Sequence, residues 1–230
     1  MQEGQVLRTE LAAMADAGTA EARELPGWAR LGFGVSVVIA VAVVVRRVVS
    51  LSRPAQQLGA SGLENLDAAF SSHAALTLAH ILPALAFVLL APLAVWRKPR
   101  GAAWPAALLY PLGTIVGLTA YGMSRYAVGG WTERSAVLLF DSLFLFSLMR
   151  AFMAEQAGRE EQQRRWLVRA IGILLGIATT RPVMALFFAT RGLTHLSIEQ
   201  FFGWAFWIGF SINLMMVEWW LRYGRERARP

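Results

Sequence analysis

Cysteine is absent from the chain, which removes disulfides, thiolate metal sites, iron–sulfur clusters and cysteine nucleophiles together. Charge is scarce: 16% of the 230 residues are Asp, Glu, Lys or Arg, against about 25% in an average soluble domain. There are three histidines, His73, His80 and His195, so any haem or metal site must draw on them. No G-x-x-x-x-G-K, H-E-x-x-H, G-x-S-x-G or G-x-G-x-x-G stretch occurs, and no covalent catalysis can be argued from the chain. What remains is apolar: 56% of residues are hydrophobic and the mean hydropathy is +0.46. These values exclude a disordered chain and argue against a soluble globular enzyme. They point to an all-α, polytopic membrane helix bundle embedded in a lipid bilayer.

Six apolar runs divide the chain: 28–51, 74–96, 102–124, 135–154, 167–190 and 201–221. Each is close to the length that crosses about 30 Å of hydrocarbon at 1.5 Å per residue. Lipid offers the backbone no hydrogen-bond partner, so each run must be helical. Arg46 and Arg47 interrupt the first run early. The domain plan is then a tail over 1–27, a six-helix transmembrane domain over 28–221 with a long outer loop at 52–73, and a basic tail at 222–230. The tail at 1–27 lacks the basic start and short apolar core of a secretory signal. Leu7, Leu11 and Met14 fit a short amphipathic helix on the membrane surface, and Leu63, Leu66 and Phe70 fit another in the outer loop.

Charge sets the orientation. The net charge is +7, and 21 of the 22 basic residues are arginine. The basic residues sit in short loops between apolar runs, a pattern of topology determinants and anionic-lipid contacts that leaves no surface for nucleic acid. With the N-terminus inside, the inner segments hold 13 basic residues and the outer loops, counting Arg46 and Arg47, hold 6. This excess places both termini in the cytoplasm; the resemblance given below implies that the membrane is a bacterial cytoplasmic (inner) membrane. Trp28, Trp96, Trp104, Trp166, Trp219 and Trp220 then form an aromatic belt at the inner face.

Few polar groups lie inside the runs, and each needs a reason. Arg150, Arg169 and Glu218 stand near inner ends and form an inner polar layer; the arginines can snorkel, and Glu218 can pair with either. Arg181 lies about 13 Å from the outer end of its run, too deep to snorkel. A lone central arginine costs about 2.5–3.5 kcal/mol on insertion scales, so partners are expected at its depth. His80, Asp141 and Asn213 have suitable depths, and with Thr180 and Arg181 they make the candidate ligand-binding layer. Pro182 removes a backbone donor and frees the carbonyl of Ala178, which adds an acceptor beside Arg181. A buried ion pair that only orients helices is the other reading of this layer. His73 and His195 both fall near the outer face and are the weak candidates for a metal or haem site; the cofactor stays open. Gly113-x-x-x-Gly117 and Gly172-x-x-x-Gly176 allow close helix approach, either within the chain or in a homo-oligomer.

The second half carries a resemblance. Gln163-Arg164-Arg165-Trp166-Leu167-Val168-Arg169, Thr179-Thr180-Arg181, Phe206-Trp207-Ile208 and Asn213-Leu214 with Glu218-Trp219 are similar to a family of bacterial membrane proteins catalogued as domain of unknown function twenty-three-oh-six. Members carry a histidine opening an early helix, two H-R blocks, a T-L-R stretch and an N-L-x-x-E-W ending. His80 resembles the first histidine and Arg165 to Arg169 the second H-R block, while Trp104 and Tyr110 sit where the first block would fall. Both H-R histidines are missing, so the chain resembles a divergent member and inherits no ligand role from them.

Three functions follow. The first is a membrane protein binding or translocating a small-molecule ligand or a proton at the Arg181 layer. The second is a membrane redox protein with b-type haem or a quinone partner, motivated by His80 and the family's histidines. The third is a structural subunit of a membrane complex, which suits the short loops.

Overall fold

A computed structural model describes residues 27–52, 72–95, 104–195 and 197–227. Among them there are only helices and short connections, and six helical stretches are long and apolar enough to cross a membrane. The helices are α1 (Gly27–Ser52), α2 (Ala74–Val95), α3 (Trp104–Met123), α4 (Gly130–Gln156), α5 (Glu160–Leu174), α6 (Gly176–Thr194) and α7 (Ile198–Arg227). α5 and α6 together make the fifth span. The surface helices expected around Leu7 and Leu63, and most of the tail at 1–27, lie outside the described residues, as do Trp96 and residues 53–71 of the outer loop. Helix α7 continues through Arg227 into the segment expected to be a basic tail.

Three hairpins, α2–α3, α4–α5 and α6–α7, form the main packing units, and α7 also packs against α4 and α5. The core runs through Phe87, Leu109, Val116, Phe144 and Leu167, all essentially without exposed surface. Phe140 of α4 meets Phe210 of α7 at 5.2 Å and Trp207 at 5.7 Å, so rings with an apolar body and oriented quadrupoles lock these two helices. Trp28 and Trp219 meet at 5.6 Å, which brings the start of α1 to the end of α7. Helix α1 is the least embedded: it packs chiefly on α2 and α6 and has no fully buried residue. It also runs unbroken through Arg46 and Arg47 to Ser52. Those two arginines lie inside the span expected at 28–51, so the charge tally that counted them with the outer loops is corrected.

The turn from α4 to α5 shows how local sequence ends a helix. Gly158 takes φ 68°, the amide of Arg159 bonds to the carbonyl of Ala154 at 2.8 Å, and that of Gly158 to Glu155 at 2.9 Å. This is the double bond of a left-handed C-terminal cap, where glycine carries no Cβ penalty. Glu161 then faces Arg165 at 2.8 Å and Arg164 at 3.6 Å along α5, pairs that a helix brings together at four- and three-residue spacing.

Both glycine pairs are spent inside the chain. A Cβ on Gly113 would run into the Leu148 side chain of α4, and one on Gly117 into Leu145. One on Gly172 would strike Val217, and one on Gly176 would strike Phe210, both on α7.

The fifth span breaks at Leu175 and not at Pro182, which stays inside α6. Carbonyls at a helix end lack intrahelical partners, and here Asn213 of α7 supplies one. Its Nδ2 donates to the carbonyl of Gly172 at 3.1 Å, and its Oδ1 accepts from the Thr179 hydroxyl at 2.6 Å. Asn213→Leu is expected to destabilise the ligand-free protein by about 1–2 kcal/mol, the upper range for hydrogen bonds between membrane helices. Reversible unfolding in mixed detergent micelles measures it, and an unchanged midpoint would mean the break holds without Asn213.

Candidate functional site

The two ends of the bundle treat their charges differently. At the end holding the α4–α5 turn, Arg169 donates from Nε to Glu218 Oε1 at 2.5 Å and from Nη2 to Oε2 at 3.1 Å. The guanidinium of Arg169 lies 4.5 Å from the centre of the Trp166 ring, and that of Arg150 lies 5.4 Å from it. Gln163 donates to the Tyr110 hydroxyl at 3.1 Å. Glu218 thus chooses Arg169, while Arg150 rests on an aromatic face. A forked, two-bond carboxylate pair with a ring beneath it satisfies its members, so this layer ties α5 to α7 and asks for nothing more.

The other half holds the α3–α4 and α6–α7 turns and contains a cavity of about 270 Å³. Most of its wall is apolar, including Ile81, Val116, Phe140, Phe144, Phe206 and Phe210. Arg46, Arg47, His80, Glu133, Asp141 and Arg181 also line it. Three of the five residues expected in the ligand-binding layer, His80, Asp141 and Arg181, therefore share one chamber.

The remaining two do not line it. Asn213 is committed to the break at Leu175, as described above. Thr180 has no exposed surface, its hydroxyl donates to the carbonyl of Ile177 at 2.6 Å, and the backbone of α6 at this residue packs on Gly209 of α7. The small residue at 209 lets α6 approach closely, which turns the Thr180 side chain into packing and leaves Arg181, one residue on, for the chamber.

Each chamber group has a distinct condition. His80 of α2 places Nδ1 at 3.1 Å from the carbonyl of Val116 and 3.0 Å from the Thr119 hydroxyl. A carbonyl only accepts, so Nδ1 carries the hydrogen, and in the neutral ring Nε2 is left as an acceptor. Asp141 of α4 is 8% exposed, and its Oδ2 has no hydrogen-bond partner. Among the described residues Arg181 of α6 likewise keeps a buried Nε without a partner, and its Nη1 approaches the Met184 sulfur at 4.0 Å. Arg46 and Arg47 of α1 line the same cavity as Arg181. Among the described residues no bond joins Asp141 to Arg181, although both face the same space. The expected partner of Arg181 is present in the chamber but is not bonded to it.

Glu133 and the Arg46–Arg47 pair are chamber residues that the sequence reading did not single out. Glu133 is 7% exposed, and its Oε2 accepts the amide of Gly129 at 2.7 Å. An acidic residue in the first turn suits the positive end of a helix, and its position just before the fourth apolar run was the available signal. Its burial comes from a long-range contact: Gly129 and Gly203 bring two backbones so close that a Cβ on Gly129 would lie 2.6 Å from the amide nitrogen of Gly203.

His73 and His195 stand apart from the chamber. His73 stacks on Tyr126 at 3.6 Å and exchanges a hydrogen bond with Ser72 at 2.9 Å. His195 closes α6 in the left-handed region at φ 52° and is exposed. Among the described residues no three His, Asp or Glu side chains cluster closely enough to hold a metal ion.

What the chamber can do chemically follows from this inventory. It offers a guanidinium donor, a carboxylate acceptor and an imidazole acceptor to whatever lies between them, inside aromatic and aliphatic walls. Six apolar helices fit a multi-pass protein of a lipid bilayer. No family model, curated protein or solved structure matches the chain.

Proposed function

We propose that this membrane protein binds a small molecule in the chamber between α1, α2, α4, α6 and α7, with Arg181 holding an anionic or carbonyl group of that molecule. One observation carries the reading: among the described residues Asp141 and Arg181 each keep a buried polar atom without a partner on the wall of one cavity, while Arg169 and Glu218 at the opposite end form a two-bond pair. Buried polar groups are bonded almost without exception in folded proteins, and an exception is a mark of function. Apolar walls with a few convergent polar groups are the usual make-up of a small-molecule site.

The remaining assignments belong to the same proposal. Both termini lie on the cytoplasmic side, supported by the arginine excess there, and the resemblance to the family named above supports a bacterial cytoplasmic membrane. That resemblance adds no activity to the reading.

Native mass spectrometry of the full chain released from mild detergent tests the proposal. Wild-type protein is expected to carry a small, non-lipid mass adduct, and Arg181→Met is expected to lose it while remaining folded. The same adduct pattern in both proteins, or none in the wild type across several mild detergents, would overturn the reading.

A further inference from the structure

Resting on the reading of the chamber as a ligand site, the arrangement of its charges narrows the ligand class. We infer that the ligand is a zwitterion with an apolar body, of the kind represented by an α-amino acid with a large aromatic or branched aliphatic side chain. Its carboxylate would take the Arg181 guanidinium, its ammonium would take Asp141, and its body would lie against Phe140, Phe144 and Phe206.

Charge excludes the other ligand classes. Asp141 is more than nine-tenths buried, lines the cavity, and has an oxygen with no partner. Arg181 lines the same cavity and has a buried nitrogen with no partner. At helical rise Asp141 lies roughly 16 Å from the Gly130 end of α4, and Arg181 roughly 20 Å from the Thr194 end of α6. Those two ends belong to the same half of the bundle, so the two groups stand at similar depth.

A simple acid would satisfy Arg181 but place its charge before the Asp141 carboxylate. A simple amine would satisfy Asp141 but face Arg181. A neutral apolar body would leave the Arg181 guanidinium buried and uncompensated, the costly arrangement. A molecule bearing one charge of each sign meets both groups, and each contact is then a charge-assisted hydrogen bond. His80 Nε2 offers a second acceptor for the ammonium.

Size agrees with the charge argument. A dry cavity of about 150 Å³ holds benzene, and the chamber measures about 270 Å³. It has room for one ring with an amino-acid backbone. Its phenylalanine walls suit an aromatic body through edge-to-face or offset contacts.

Binding of phenylalanine, leucine, phenylpropionate and phenylethylamine to the purified full-length protein, by equilibrium dialysis with thermal shift as a second readout, tests the inference. Phenylalanine or leucine is expected to bind, with the acid and the amine about 30-fold weaker or more, since each loses one charge-assisted bond. Asp141→Asn is expected to weaken phenylalanine and to bind phenylpropionate at least as well as phenylalanine. Phenylpropionate or phenylethylamine matching phenylalanine on the wild type would overturn the zwitterion and leave the chamber a ligand site. Failure of all four probes would also overturn it. The co-purification result then stands separately: an adduct lost on Arg181→Met keeps the site, and no adduct removes it.

Discussion

Replacing Gly209 by alanine is expected to lower the stability of the protein by about 3 kcal/mol or more, at the upper end of what overpacking usually does. The new Cβ would lie 2.8 Å from the Thr180 amide nitrogen and 2.9 Å from its Cα. These are backbone atoms and have no rotamer to escape into, so α7 must move away from α6. Within lipid, helices are held together largely by close van der Waals packing, so separation forfeits contacts that hydrophobic burial does not replace. Gly113→Ala is the informative comparison, because its Cβ meets the flexible end of Leu148, and it is expected to cost much less. Gly192→Ala meets nothing within 4 Å and serves as the control. Unfolding midpoints for the three variants should rank in that order. A Gly209→Ala protein as stable as the control would show that α6 and α7 do not meet at Thr180, and the placement of Arg181 would fall with it.

Arg181→Met is expected to raise the stability of the ligand-free protein by about 1–3 kcal/mol, part or most of the roughly 2.5–3.5 kcal/mol that insertion scales assign to a central arginine. Among the described residues the guanidinium has a buried nitrogen without a partner and no carboxylate bonded to it. Methionine keeps much of the apolar stem and removes the charge. Asp141→Leu should act in the same direction, because Oδ2 is buried without a partner. The alternative use of these residues, a buried pair that orients helices, carries the opposite sign, since breaking such a pair is destabilising by about 3–5 kcal/mol. Stability that rises as ligand binding is lost is the usual signature of a binding site held in an unfavourable state.

The six spans were legible because a membrane demands uninterrupted apolar length, and few other residues satisfy that demand. The depth of Arg181 was legible for the same reason: helical rise converts position in a run into distance from water. Three features escaped. Arg46 and Arg47 look like the end of a span, since an arginine pair after an apolar run normally marks an interface, yet α1 carries them onward to Ser52 and into the chamber wall. The break in the fifth span drew attention to Pro182, the local breaker, but it falls at Leu175. There it is supported by Asn213, which is 41 residues away from Gly172 in sequence. The burial of Glu133 depends on Gly129 meeting Gly203, two ordinary glycines whose contact no local pattern announces. In each case the missing information was a contact between distant helices. Conversely, Asn213 and Thr180 have the depth and chemistry of site residues, and their hydrogen bonds are consumed by the joint between α5, α6 and α7.

The central claim is that Asp141 and Arg181 share a chamber without bonding to each other. A double-mutant cycle on ligand-free protein, built from Arg181→Met, Asp141→Leu and the combined variant, measures that relation directly. Unlinked groups are expected to give a coupling energy below about 0.5 kcal/mol, with both single variants stabilising. A favourable coupling of about 2 kcal/mol or more, with each single variant destabilising, would identify a bonded pair and contradict the account.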